Sequence, residues 1–254
     1  MPDPALDLFP RAKPVVAVLD VGPMPGGAGA VSVWSAEERA VAEARVLLDL
    51  GVDGVLVEGE PSGPDDLDAC PETVAFMTRI AVAVRRNVNR LPVGVCVPGA
   101  GRAALAVAHA AGCHFVRVCE RGGGGGAEPV PDYRARIGAG RLPLFADLCP
   151  HDAAEAAALA GGLAWADAAV VLGPEPGRSP TLDVAAAVRA ATDLPLFCGG
   201  LGPESLPDLL DRADGFVVGS GIKEQCRRRA PVCEPRVRSV VGALEYARGQ
   251  EVRQ

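Results

Sequence analysis

Short apolar runs recur along this chain, and between them lie longer stretches whose apolar positions return every three or four residues. The runs are Val15–Asp20, Gly54–Val57, Val93–Val97, Phe115–Cys119, Leu142–Leu148, Ala168–Leu172, Pro195–Cys198 and Gly215–Val218. Most are continuous rather than alternating, as a parallel strand buried on both faces requires. The periodic stretches predict helices from Ser35 to near Gly51, from near Pro71 through Arg86, and over Arg102–Ala111. A short, poor helix follows near Tyr133–Ile137, then Asp152–Ala160, Leu182–Ala191, Pro203–Leu210 and a final Glu234–Arg248. Ser35 opens the first helix with a glutamate three residues on, and Gly51 is its stop. Eight strand–helix alternations predict one α/β domain, a (β/α)8 barrel over residues 1–254, with 1–14 as an extended lead-in. A doubly wound open sheet ranks lower, because the early glycine cluster carries prolines where a dinucleotide fold needs G-x-G-x-x-G.

Composition narrows the function classes. The chain has 254 residues, 49% hydrophobic and 22% charged, with 4% aromatics. Its core is therefore built from Ala, Val and Leu. A net charge of −7, without a long Lys/Arg stripe, argues against a nucleic-acid partner. The short run Arg227–Arg229 reads as a solvated helix end or loop. No apolar run is long enough to span a membrane, and the acidic, proline-broken start is not a secretory signal. Eight cysteines in such a chain read as reduced thiols in a cytoplasmic protein. The five glycines Gly122–Gly126 predict a mobile loop.

In a barrel, residues at strand C-termini face the active-site mouth. Glu58 and Asp147 are the first candidates for acid–base chemistry, with Asp20 and Glu120 behind them. The alternative for each is a carboxylate bonded to loop N–H groups. The last two strands end in Gly199–Gly200 and Gly219–Ser220, where backbone amides can close on a phosphate or similar anion. Lys223 follows and would neutralise that anion, unless it is simply a solvated lysine. Cys96, Cys119, Cys149 and Cys198 also fall at strand ends. Three readings stay open: packing, a thiolate nucleophile, or a metal site joining Cys149 to His151. No cofactor is otherwise expected. Lys13 and Lys223 are the only lysines and neither lies in a strand, so an amine-based aldolase mechanism has almost no candidate.

Several segments together resemble the BtpA/SgcQ family, named for a photosystem I biogenesis protein. They are P-M-P-G (Pro23–Gly26), V-D-G-V-L-V-E (Val52–Glu58), P-E-T-V-A-F-M-T (Pro71–Thr78) and P-V-G-V (Pro92–Val95). R-A-A-L-A-V-A (Arg102–Ala108), F-V-R-V (Phe115–Val118), F-A-D (Phe145–Asp147), A-D-G-F-V-V-G-S (Ala213–Ser220) and I-K-E (Ile222–Glu224) continue in family order. The resemblance implies a (β/α)8 barrel with a role in complex biogenesis or small-molecule metabolism. Against the family pattern, Asp20 replaces a histidine, Gly59, Cys96 and Cys119 replace asparagines, and Leu172 replaces a threonine. In the strand-five segment only Ala146 and Asp147 keep register. The expectation is a lyase, aldolase-like or isomerase activity on a small anionic or phosphorylated molecule, with Cys96 and Cys119 lining the pocket. The competing expectation is a catalytically silent barrel that binds a ligand or assembles a complex. Homodimerisation is expected without any residue to place the interface.

Overall fold

Eight parallel strands close on themselves in sequence order, β1 pairing with β2 through to β8, which returns to β1. The computed structural model describes residues 3–23, 29–60, 70–119, 128–175 and 177–251. Glu120, the glycines Gly122–Gly126 and the stretch Met24–Gly26 lie outside them, so the expectations placed there are not addressed.

The strands are β1 (Val15–Pro23), β2 (Gly54–Glu60), β3 (Val93–Cys96), β4 (Phe115–Val118), β5 (Leu144–Leu148), β6 (Ala168–Val171), β7 (Leu196–Gly199) and β8 (Gly215–Val218). The helices are α1 (Val33–Asp49), α2 (Pro71–Asn87), α3 (Gly101–Ala111), α4 (Val130–Arg136), α5 (Ala153–Gly161), α6 (Leu182–Ala191), α7 (Leu206–Leu209) and α8 (Glu234–Glu251). The barrel and its alternation are as the hydrophobic pattern predicts. No helix among the described residues is long and apolar enough to cross a membrane.

Local corrections have local causes. α1 starts at Val33, not Ser35; Ser32 is its cap and accepts the Ser35 N–H at 3.2 Å. β5 starts at Leu144, not Leu142, because Leu142 spends its N–H on a turn to Ala139 and Pro143 has none to give. α7 shrinks to Leu206–Leu209, since Gly202 O takes the N–H groups of both Ser205 and Leu206 in a turn first.

The barrel interior is a second core, separate from the larger one between strands and helices. Phe115, Phe145 and Phe197 fill it, and Phe9 of the lead-in closes its lower end against Phe115 and Phe197. Glycines at the paired positions of neighbouring strands make the room. A Cβ at Gly94 would lie 2.3 Å from the Phe115 ring, and one at Gly215 2.3 Å from Phe197. Large beside small is how a ring of eight strands is packed solid.

Candidate functional site

Side chains alternate along a strand, so the residue two places beyond an inward core residue is also inward. Val18, Leu56, Phe115 and Phe145 belong to the barrel interior. The next inward positions are Asp20, Glu58, Arg117 and Asp147. The mouth is thus the core's own alternation carried one layer further, with charge in place of hydrocarbon.

These four residues form one network. Arg117 donates to Asp147 through Nε (2.7 Å) and Nη2 (2.8 Å), and through Nη1 to Glu58 Oε2 at 3.0 Å. Glu58 Oε1 accepts from Arg228 Nη2 at 2.7 Å. Arg228 Nε also meets Asp20 Oδ2, while Asp20 Oδ1 accepts the Gly22 N–H at 2.8 Å. Burial works against the charge on Arg117, but Asp147 and Glu58 outweigh it and hold its pKa well above the ordinary value. The expected pair, Glu58 and Asp147, does face the mouth; an arginine joins them.

Sequence reasoning missed both arginines. The signal for Arg117 is a charge at an inward position of the otherwise apolar strand F-V-R-V. In sequence, Arg228 reads with Arg227 and Arg229 as solvated. That is corrected for Arg228, whose guanidinium reaches the mouth because its loop folds back over it. Lys223 is not solvated either: it is 2% exposed and its amine meets Glu43 of α1 rather than lining an anion site. Burial, with Arg39 adding and Asp20 opposing, brings its pKa down to about 8.

The cysteines at strand ends are mostly buried thiols. Burial first, then Glu58, pushes Cys96 well up; burial and Asp147 push Cys119 to about 12, and burial pushes Cys198 to about 12. None of these three is a ready thiolate at neutral pH. Cys149 is exposed, and His151 pairs through Nδ1 with Glu155 at 2.9 Å. Among the described residues no three His, Cys, Asp or Glu side chains gather as a metal-ligand set.

A separate cleft of about 460 Å³ opens beside the mouth, at the loops after β7 and β8. Gly200 and Ser220 line it with Gly221; Gly199 is buried beneath Leu172, and Gly219 sits beside Val18. Main-chain crowding demands glycine here. A Cβ at Gly200, whose φ is +71°, would lie 2.0 Å from Arg178 O, and one at Gly221 1.9 Å from Leu201 O. Two arginines reach the cleft, both already paired: Arg178 with Glu175 at 2.9 Å, and Arg236 with Glu204 at 2.7 and 2.8 Å.

Comparison with known proteins agrees with the barrel fold. Tryptophan synthase of Mycobacterium tuberculosis superposes with a TM-score of 0.60 at 16% identity, covering 93% of this chain and 92% of that one. Phosphoribosylanthranilate isomerase of Thermotoga maritima gives 0.56 at 14%, covering 92% and 99%. At such identities the likeness is one of fold. In sequence, an uncharacterised protein of Thermococcus kodakarensis is 30% identical, over 94% of this chain and 98% of its own length. The photosystem I biogenesis protein BtpA of Synechocystis is 27% identical, over 93% and 89%. The BtpA family matches residues 11–246, which span the barrel from the lead-in to the last helix, and the chain belongs to that family.

Proposed function

We propose that this barrel is an enzyme of small-molecule metabolism, with lyase, aldol-type or isomerase chemistry on an anionic or phosphorylated substrate. The observation that carries this reading is the network Asp20–Arg228–Glu58–Arg117–Asp147 at the C-terminal rim, buried except at Arg228. Buried ion pairs add little to stability compared with well-packed apolar side chains, so a network at the rim is better explained by work done there. Within it Asp147 is gripped by both teeth of the Arg117 fork, so its task is to orient that guanidinium. Glu58 makes one bond to Arg117 and one to Arg228, and is the better acid–base candidate. The glycine-lined cleft is the seat for the anion, with Arg178 and Arg236 beside it once either lets go of its carboxylate partner. Phosphoribosylanthranilate isomerase, one of the structural neighbours, has a phosphorylated substrate in its name, which supports this choice. A cytoplasmic setting fits such a role.

The test has two arms. Inorganic phosphate should raise the melting temperature of the intact chain, and Ser220→Asp, which puts a carboxylate into the cleft, should abolish the rise. A pool of phosphorylated metabolites, followed by mass spectrometry and chromatography, should lose or rearrange a component with the intact chain and not with Glu58→Gln. Equal turnover by both, or none by either, overturns the catalytic reading.

One observation favours a second reading, a silent binding or assembly protein: the ionic groups of the mouth satisfy one another, with Arg228 across the top. The Synechocystis relative is named for photosystem I biogenesis, which gives that reading a precedent.

A further inference from the structure

The connection from β8 to α8 runs over the mouth. After a 3-10 turn at Ser220–Ile222 the chain leaves the barrel and returns antiparallel, with Lys223 bridged to Val232. Glu224 N–H donates to Pro231 O at 3.0 Å, and Cys233 N–H to Ile222 O at 2.9 Å. The excursion turns on Gln225 (φ +52°) and Cys226 (φ +53°), two successive non-glycine residues in the left-handed region. Arg228 lies near its tip. That side chain is 43% exposed, whereas the carboxylates it bridges, Asp20 and Glu58, are 2% and 13% exposed.

Charge decides what can happen there. With Arg228 in place, the mouth holds three carboxylates (Asp20, Glu58, Asp147) and two guanidiniums. Without it, three carboxylates face Arg117, and Lys223, the other buried cation that Asp20 senses, is already paired with Glu43. An excess of buried negative charge therefore remains and is strongly disfavoured. A ligand approaching Glu58 must therefore replace the charge it displaces. An anion cannot do that; an ammonium or guanidinium can, and a guanidinium already fits the seat.

We propose that the segment Lys223–Cys233 is a displaceable strap whose Arg228 occupies a cation-recognising seat between Asp20 and Glu58, and that a ligand entering the mouth takes this seat with an ammonium or guanidinium group of its own. The proposal rests on the mouth being the reaction site. Together with an anion in the glycine-lined cleft, it defines the substrate as one carrying both charges.

Methylguanidinium chloride is the probe, with tetramethylammonium chloride at equal ionic strength as the control. If Arg228 holds the seat most of the time, Arg228→Ala binds methylguanidinium at least about tenfold more tightly than the intact chain, because the competitor is gone. Adding Asp20→Asn, or separately Glu58→Gln, to Arg228→Ala removes that gain. In the intact chain, saturating methylguanidinium accelerates amide hydrogen exchange across residues 224–231, and tetramethylammonium does not. Equal affinity of the two proteins, no saturable binding to Arg228→Ala, or binding without a change in exchange overturns the proposal. Arg228→Ala alters a half-exposed loop residue, and its melting temperature verifies that it is folded. Failure of the phosphate arm above, with these results intact, would remove the anion cleft and leave the cation seat standing.

Discussion

Arg117 donates three hydrogen bonds to two carboxylates from inside a barrel, and that makes it the residue whose loss is most informative. Arg117→Met would leave Asp147 and Glu58 buried without their shared counter-charge, and should cost about 3–5 kcal/mol in urea unfolding. Its position was legible: Phe115 points inward, so the residue two beyond it does too. What the sequence could not give was the partner, because nothing in F-V-R-V says that two carboxylates from β2 and β5 converge on it. Thiol chemistry divides in the same way. In a native titration with a thiol reagent at neutral pH, exposed Cys149 and Cys226 should react first, and buried Cys96, Cys113 and Cys198 only on unfolding. Lys223 carries a pH signature. Its pKa of about 8 in the folded chain lies below its ordinary 10.5, so the folded state binds fewer protons than the unfolded one between those values. Stability attributable to this residue therefore rises as pH climbs through that window. Melting curves at pH below 8 and near 10 should show the intact chain gaining on Lys223→Met as the pH increases.

Elements rather than residues set the shape of the glycine-lined cleft. The loop after β6 presses on the loop after β7, and that loop on the one after β8, so closely that side chains are excluded at Gly200 and Gly221. Gly200→Ala would combine a left-handed φ with a backbone clash and should cost about 2 kcal/mol or more, read as a lowered urea midpoint. Ser32→Ala is the mild counterpart, losing one exposed cap of α1 for about 1 kcal/mol. Most helices and strands were readable from periodicity, and α6 was placed to the residue. Boundaries failed where a side-chain cap, a missing N–H or a turn decided the end, as at Ser32, Pro143 and Gly202. The strap was illegible for a related reason: a loop has no period, and Arg228 is distinguished from Arg227 and Arg229 only by where the antiparallel excursion aims it.

At the scale of the molecule, eight alternating runs are enough to specify a closed ring, but not what stoppers it. The lead-in is not the extended segment the sequence suggests: its described residues turn, with Asp7 N–H on Asp3 O at 2.9 Å and Phe9 N–H on Leu6 O at 3.0 Å, and Phe9 seals the floor of the barrel. Phe9→Ala should cost about 3 kcal/mol and lower the melting temperature, with the mouth at the far end left intact. Next to that seal, Asp53 Oδ1 accepts from Arg11 Nε and its Oδ2 from both the Val15 N–H and Arg248 Nη2. Arg248 also holds the carbonyls of Ala12 and Lys13. One carboxylate thus clasps residues separated by nearly the whole chain. On the ribosome, Arg11 and Val15 can reach Asp53 early, but the clasp is complete only when the last helix brings Arg248, so the early strand–helix units emerge into a vestibule with one wall missing. A synthesis arrested short of Arg248 should yield a nascent chain that proteases cut readily near its beginning, and release of the remaining residues should make that same region resistant.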